Sequence, residues 1–303
     1  MKILYFLVLI VAFTGFSQTQ KYSVTNLDLN TEYPHFGLMK IGQDKLLLTS
    51  YKLDKKGRPK KVQGMPVLTI YQGAISNKGN LTNLVPLLFN EEQYLVNITS
   101  ATISSNGKKL YITTRYHYKN KPKGNFNMEN FHIEVGQYKE GVGWTNFKVL
   151  PFCIPKYSYA HPALSKDGKT LYFIANIKGG RDTTRGGSDI FKVDILDDDS
   201  YSEPKNLGSK VNSYSREMFP FLDENSTLYF ASNRPGGFGG YDIYKSDLDK
   251  DGNYMKAEKL PKPLNSIKDD FSLITFDGGN SGYLSSKRPK GKGDDDIYYF
   301  KKN

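Results

Sequence analysis

Three segments of the chain repeat one pattern at a nearly constant interval. Each ends in an Asp-Ile pair, and these pairs begin at Asp189, Asp242 and Asp296, 53 and 54 residues apart. Weaker copies lie at residues 102–114 and 45–71. A period of this length indicates an architecture of similar units that bury their apolar faces against one another. We therefore expect one domain built from five repeats.

Each repeat is predicted to contain four antiparallel strands. A short strand precedes an Asp-Gly or Asn-Gly turn, as at Asp167-Gly168, and a strand such as Leu171-Tyr-Phe173 follows it. Asx-Gly between apolar runs is the strongest short hairpin signal, because both residues tolerate positive φ. The 22 Tyr, 18 Phe and 28 Gly also favour strands and turns. Four strands per repeat predict an all-β, five-bladed β-propeller.

The last repeat lacks its fourth strand, because the chain ends soon after the strand near Ile297 to Phe300. A strand near Tyr22 to Leu27 is available to complete it, so we expect the N-terminal and C-terminal strands to close the ring. Closure removes the open edges of the sheet. The period-2 pattern further predicts that seven residues pack between blades: Leu171, Phe173, Ile190, Leu228, Phe230, Ile243 and Ile297.

The repeat motif resembles a known family. Asp167-Gly-Lys-Thr-Leu-Tyr-Phe173 and above all Ser232-Asn-Arg-Pro-Gly-Gly-Phe-Gly-Gly-Tyr-Asp-Ile-Tyr244 look like the WD-like β-propeller repeat of TolB-type exported proteins. The resemblance implies a propeller of the Gram-negative cell envelope, usually non-catalytic and engaged in protein contacts. It covers three repeats closely and two loosely.

The N-terminus predicts export. Lys2 precedes an apolar run from Ile3 to Phe13, and Gly15 and Ser17 are small residues suited to cleavage before Gln18. We expect residues 1–17 to be a cleaved signal peptide and residues 18–303 to be one propeller domain in the periplasm or outside the cell. No Cys follows the apolar run, so lipidation is not expected, and no other apolar stretch predicts a membrane span. The single Cys153 is expected to be a small buried residue.

The formal net charge is +11 at pH 7, and the basic excess lies in expected loops at Lys52 to Lys61, Lys119 to Lys123 and Lys287 to Lys292. These loops are either solvated surface or weak attractants for anionic partners such as lipid headgroups, acidic glycans or an acidic protein. Nucleic acid is not an expected partner, because export separates the chain from it and no recognition motif accompanies the charge.

The repeated polar residues are interpreted as structural. Asp189, Asp242 and Asp296, together with Arg234 and Arg288, are expected to form hydrogen bonds or ion pairs within blades, and the Gly loop supplies positive φ. No helix follows that loop to complete a phosphate site, and three adjacent acids at Asp294 to Asp296 fall short of a calcium site. No metal or cofactor is therefore expected. The loop glycines are Gly236, Gly237, Gly239 and Gly240.

Catalytic motifs are sparse. His35, His117, His132 and His161 are scattered, and no Gly-x-Ser-x-Gly sequence occurs. The sequence therefore favours a non-catalytic interaction or ligand-binding module. The alternative is a carbohydrate-active enzyme, because that chemistry requires only two suitably placed carboxylates. An isolated, non-repeated pair of acids over the central channel, with aromatic residues beside it, would distinguish the alternative.

The predicted binding surface is one mouth of the central channel, where each innermost strand begins. There an envelope protein or a glycan is the expected partner, although a solvated mouth without a ligand is an open alternative. Its acids are expected to make this face different from the basic loops. Aligned repeats place these residues at or beside the mouth: Glu32, Tyr33, Asn97, Tyr159, His161, Arg216, Glu217, Asp269, Asp270 and Phe271.

Overall fold

The computed structural model describes residues 22–62, 64–76, 79–90, 95, 97–117, 121–124, 126–180, 182–198 and 200–303. These residues form five antiparallel sheets of four strands each, arranged around a central axis. The predicted five-bladed β-propeller is confirmed. The signal peptide predicted at residues 1–17 and Lys119 of the predicted basic loop lie outside the described residues.

Each blade runs outward from an innermost strand that contacts the innermost strands of its neighbours. Blade 1 contains β2 (Phe36–Ile41), β3 (Lys45–Tyr51), β6 (Leu68–Ile75) and β7 (Leu81–Pro86), with a small hairpin, β4 (Lys61–Val62) and β5 (Met65–Pro66), inserted after β3. Blade 2 contains β8 (Ser100–Ile103), β9 (Lys109–Arg115), β10 (Phe131–Lys139) and β11 (Gly143–Val149). Blade 3 contains β12 (Tyr159–Leu164), β13 (Thr170–Ala175), β14 (Asp189–Asp194) and β15 (Lys205–Asn206).

Blade 4 contains β16 (Glu217–Leu222), β17 (Leu228–Ser232), β18 (Asp242–Ser246) and β19 (Glu258–Lys259). Blade 5 contains β20 (Asp270–Phe276), β21 (Ser281–Ser286), β22 (Asp296–Lys302) and, as its outer strand, β1 (Tyr22–Asn26). A short 3-10 helix (Asp277–Gly279) connects β20 to β21. No helix among the described residues has both the length and the apolar character needed to cross a bilayer.

The ring closes as the sequence predicts. β1 pairs with β22 from Tyr22 opposite Lys302 to Asn26 opposite Tyr298. Just after β1, the buried side chain of Asn30 accepts a hydrogen bond from the Ile297 backbone N–H at 2.9 Å and donates one to the Ile297 carbonyl at 2.8 Å. An amide side chain thus substitutes for a strand neighbour and satisfies both backbone groups of a buried residue.

The same clamp recurs in two other blades. Asn212 holds both backbone groups of Ile190, and Asn265 holds both backbone groups of Ile243, with hydrogen bonds of 2.7 to 2.9 Å. All three asparagines are buried. The sequence analysis missed these residues, although each of the last two lies 22 positions after the Ile it holds.

The apolar core lies between blades. All seven residues predicted to pack there are at most 1% exposed. One cluster joins Tyr172 and Ile190 of blade 3 to Leu228 and Phe230 of blade 4, so the faces of neighbouring sheets interlock. Cys153 is a free, buried thiol, as expected, and burial raises its pKa to about 12.

Strand direction assigns each loop to one end of the ring. The innermost strands begin at the same end at which the second and third strands of each blade are connected, and we call this end the mouth face. Residues 52–67 and 287–295, which carry two of the basic loops, are such connections. They also touch the segment before β2, because the Tyr33 hydroxyl donates to the Gly57 carbonyl at 3.4 Å. The predicted separation of basic loops from the mouth is wrong.

Ring closure should govern stability. We expect a chain that begins at Thr31 to be less stable than one that begins at Tyr22, because it exposes the β22 edge and leaves the Ile297 backbone groups without Asn30. The two lost Asn30 hydrogen bonds alone contribute about 1 to 3 kcal/mol, because the freed Ile297 groups bond to water instead. Urea unfolding of the two chains measures the difference, and equal unfolding free energies would contradict the closure described here.

Candidate active site at the mouth face

Backbone hydrogen bonds between blades fix the geometry of the mouth. The donor is the backbone N–H of the first residue of an innermost strand or of the residue just before it. The acceptor is the backbone carbonyl of the residue that precedes the third strand of the previous blade. His35 donates to Asp295 at 2.8 Å, Glu217 to Ser188 at 3.0 Å, and Asp270 to Tyr241 at 2.8 Å. Equivalent positions are therefore His35, Glu217 and Asp270. The sequence alignment placed Glu32 and Asp269 at this position in error.

Glu217 and Asp270 are held inside their own blades. Both are fully buried. Glu217 Oε1 lies 3.0 Å from the Arg234 guanidinium and accepts a 2.8 Å hydrogen bond from Ser232. Asp270 Oδ1 lies 2.6 Å from Arg288 and accepts a hydrogen bond of the same length from Ser286. These two acids are committed to structural ion pairs.

Blade 3 shows that this acid belongs to the repeat motif. There Tyr159 replaces the acid, and Ala175 and Ile177 stand where blade 4 has Ser232 and Arg234. Tyr159 is fully buried in an apolar cluster. The acid therefore occurs with its Ser-x-Arg partners and disappears with them, which is the pattern of a packing unit.

The repeated aspartates hold the loops of the mouth face. Asp242 Oδ2 accepts hydrogen bonds from the N–H groups of Phe238 and Gly239 at 2.8 and 3.2 Å. Asp189 and Asp296 bind their own loops in the same way. Three of the loop glycines allow the chain to pass close to its neighbours. A Cβ at Gly237 would strike Asp242, a Cβ at Gly239 would strike the Lys268 carbonyl, and a Cβ at Gly240 would strike Asp269. Gly236 has a φ of +87°, which favours glycine.

Aromatic residues fill the centre of the mouth. Phe219 lies between His161, stacked at 3.7 Å between ring centroids, and Phe271 at 5.4 Å, and Phe36 meets Phe219 edge-on at 6.2 Å. His161 Nδ1 accepts the Phe219 N–H at 3.1 Å. Burial lowers the pKa of His161 to about 3, so this ring is neutral and packs with the aromatic residues at the centre of the mouth. Phe36 and Phe271 are only partly buried and form the floor of the mouth.

Two acids next to this floor do not belong to the repeat. Asp269 stands where blade 4 has Arg216, and Asp295 stands where blades 3 and 4 have Ser188 and Tyr241. Lys287 contacts both residues. Its backbone N–H donates a hydrogen bond to the backbone carbonyl of Asp269 at 2.9 Å, and its side-chain Nζ lies 3.7 Å from Asp295 Oδ1. The mouth thus holds a non-repeated pair of acids, which is part of the pattern expected of a glycoside-cleaving site.

The two carboxyl groups have different environments. Asp269 is half-buried and accepts a 2.9 Å hydrogen bond from the Tyr241 N–H. Asp295 is 9% exposed, and burial raises its pKa to about 6; the Lys287 charge opposes this rise, and Asp294 and Asp269 add to it. One member of the pair therefore holds its proton in weakly acidic solution.

The remaining predicted residues divide between the two sides of the mouth. Glu32 is exposed and Tyr33 is half-buried beside the loop of Asp295, since a Cβ at Gly293 would press on residues 31–33. Arg216 is exposed on blade 4. Asn97 lies at the junction of blades 1 and 2, where its side chain accepts the Leu68 N–H at 3.4 Å, and it does not join the acid pair.

Sequence analysis missed Asp295 and Phe36 as mouth residues. The sequence signal for Asp295 is its departure from Ser188 and Tyr241, which occupy the same repeat position. Within the described part of the chain, no group of three or more His, Cys, Asp or Glu residues is arranged to hold a metal ion.

Comparisons with known proteins identify relatives by fold only. No family model and no curated protein sequence matches the chain. A thermostable family-43 glycoside hydrolase superposes with a TM-score of 0.54 at 14% identity, covering 91% of each chain. The β-1,2-mannobiose phosphorylase from Listeria innocua superposes with a TM-score of 0.50 at 12% identity, covering 91% of this chain and 93% of its own.

These neighbours correct the prediction that the chain is not an enzyme. Both are enzymes on five-bladed propellers of nearly the same extent, so this architecture gives no ground for excluding catalysis. At such low identity the similarity shows the fold alone, and the activity of either neighbour is not transferred by it.

Burial of Asp295 should leave a pH signature in stability. Because its pKa is higher in the folded chain than in the unfolded chain, ionisation between about pH 4 and 6 weakens folding. We expect Asp295→Asn to raise Tm over wild type at pH 8 by more than it does at pH 4. The control is Asp251→Asn, which removes an exposed carboxyl group between β18 and β19 at the opposite end of the ring, and the gain in Tm from pH 4 to pH 8 should be larger for Asp295→Asn than for this control. A pH-independent difference for Asp295→Asn would refute the assignment.

Proposed function

We propose that the protein is a carbohydrate-active enzyme that cleaves a glycosidic bond at the mouth face, with Asp295 as general acid and Asp269 as the second carboxylate. The carrying observation is the non-repeated acid pair beside an aromatic floor. Similar propellers in a glycoside hydrolase and a mannobiose phosphorylase support the choice of chemistry.

The two acids match the division of labour in glycoside cleavage. A protonated carboxylic acid gives its proton to the leaving glycosidic oxygen as the bond from the anomeric carbon to that oxygen breaks. An ionised carboxylate stabilises the positive charge that develops on the sugar ring or activates the water that adds to the anomeric carbon. Environments that push the pKa values of two nearby carboxyl groups apart are how such roles are assigned.

Other acids at the mouth are poor candidates. Glu217 and Asp270 are already paired with arginines, and removing either acid would leave a partly buried cation without its carboxylate. Glu32 and Asp294 are exposed, so solvent rather than the protein surrounds their carboxyl groups. Phe36 and Phe271 present apolar ring surface on which the CH face of a sugar can stack.

Export remains part of the proposal. The leader pattern at residues 1–17 and the resemblance to TolB-type repeats support a location in the periplasm or outside the cell, where polysaccharides are accessible.

The test is hydrolysis of a panel of polysaccharides and nitrophenyl glycosides, measured as the release of reducing ends or nitrophenol. We expect Asp295→Asn and Asp269→Asn each to lower kcat at least about 100-fold, the usual contribution of a general acid or base. Wild-type kcat/KM should fall as the pH rises through about 6, because Asp295 must be protonated. Undiminished turnover in both variants would overturn the proposal.

Two neighbouring variants sharpen this test because they move the alkaline limb of the pH profile in opposite directions. The Asp294 charge raises the pKa of Asp295, so Asp294→Asn should move the limb to lower pH. The Lys287 charge lowers that pKa, so Lys287→Met should move the limb to higher pH. Shifts in the same direction would contradict the role of Asp295.

A further inference from the structure

The mouth face carries two exposed aromatic rings, each with one or two cationic side chains close to it. Tyr214, 80% exposed, lies before β16, and the Arg185 guanidinium is 4.7 Å from its ring centroid. Phe238, 40% exposed, lies between β17 and β18, with Lys259 Nζ at 3.6 Å and Lys262 Nζ at 4.9 Å from its ring centroid. We call these the Tyr214 platform and the Phe238 platform.

The fold fixes the backbone under both platforms. A Cβ at Gly186 would strike the backbone of Tyr214 and Ser215, so the Arg185 loop lies directly against the Tyr214 segment. The Ser213 hydroxyl donates to buried Glu217 at 2.6 Å, and the Phe238 N–H donates to buried Asp242 at 2.8 Å. Both rings therefore stand on backbone that is held in place, so a ligand could bind them without reordering their loops.

The surrounding charge is basic. Lys55, Lys56, Lys60 and Lys61 are exposed on the blade 1 loop, whose acid Asp54 is already paired with Arg58 at 3.0 Å. Lys268 and Arg216 are exposed before the innermost strands of blades 5 and 4. A face of this sign attracts anions, and an aromatic ring beside a cation matches a sugar ring beside an acidic group.

We propose that the ligand of the mouth face is an anionic glycan, whose sugars stack on the Tyr214 and Phe238 platforms and whose carboxylate or sulfate groups pair with Arg185, Lys259 and Lys262. This inference rests on the proposed function for the site but names its substrate class. The loop of Phe238 contacts the segment of Asp269, because a Cβ at Gly240 would strike the Asp269 carboxyl group, so a chain bound on the Phe238 platform extends toward the acid pair.

The test measures binding to the Asp295→Asn variant, which retains the platforms, by calorimetry. The probes are oligogalacturonate, oligoalginate and a heparin oligosaccharide, each compared with maltohexaose and xylohexaose. We expect at least one anionic probe to bind about tenfold more tightly than either neutral probe at low salt and to lose that advantage as salt rises. Equal or tighter binding of the neutral probes, or no binding of any anionic probe, would overturn the inference.

Matched variants locate the site. Tyr214→Ala should raise Kd for the anionic probe about tenfold, and Arg185→Gln should raise it about threefold at low salt only. The controls are Tyr138→Ala, 57% exposed, and Lys139→Gln, both near the β10–β11 turn at the opposite end of the ring. Equal effects of the control and platform variants would overturn the inference.

Two further outcomes separate this inference from the proposed function. Tight binding of an anionic glycan that wild type never cleaves would support the platforms and contradict catalysis. Cleavage of neutral glycans alone would support catalysis and contradict the anionic substrate. A single-stranded oligonucleotide that displaced the glycan and bound more tightly would assign the platforms to base stacking and overturn the inference.

Discussion

A buried carboxylate at the start of the third strand determines the shape of the mouth face. Asp189, Asp242 and Asp296 are fully buried and accept hydrogen bonds from the N–H groups of the loop before them. Each loop thereby lies against the next blade. There the residue before each aspartate accepts a backbone hydrogen bond: Ser188 from Glu217, Tyr241 from Asp270 and Asp295 from His35. The positions of His35, Glu217 and Asp270 at the mouth depend on this arrangement.

The repeat separates structural from functional acids. Acids that recur with their partners, such as Glu217 with Arg234, serve the blade. Asp269 and Asp295 interrupt the pattern, and their partners, the Tyr241 N–H and Lys287 Nζ, are not the Ser-x-Arg pair of the repeat. Asp295 immediately precedes the structural Asp296, so a rigid backbone holds a carboxyl group whose pKa is raised to about 6. The scaffold thus positions a chemically unusual group without taking part in its chemistry.

The fold was predictable because its sequence signals are local and recur along the chain. Asx-Gly turns, the period of the Asp-Ile pairs and the missing last strand gave five blades and their closure, and Leu228 and Phe230 followed from strand alternation. The site was less predictable because it depends on register between blades. The repeat alignment missed the equivalent position by three residues at Glu32 and by one residue at Asp269, which displaced the expected mouth residues. The pairing of Arg234 with Glu217 depends on which strands are neighbours, which the repeat pattern alone does not specify.

The most direct test of the account is a crystal structure of Asp295→Asn with the tightest-binding oligosaccharide. We expect the sugar chain on the mouth face, with one ring stacked on Tyr214 or Phe238 and a glycosidic oxygen within hydrogen-bonding distance of residue 295. The opposite end of the ring offers a competing cavity of about 260 Å³ bordered by Lys40, Lys166 and Glu224. A sugar chain bound in that cavity, with the mouth face empty, would contradict the account.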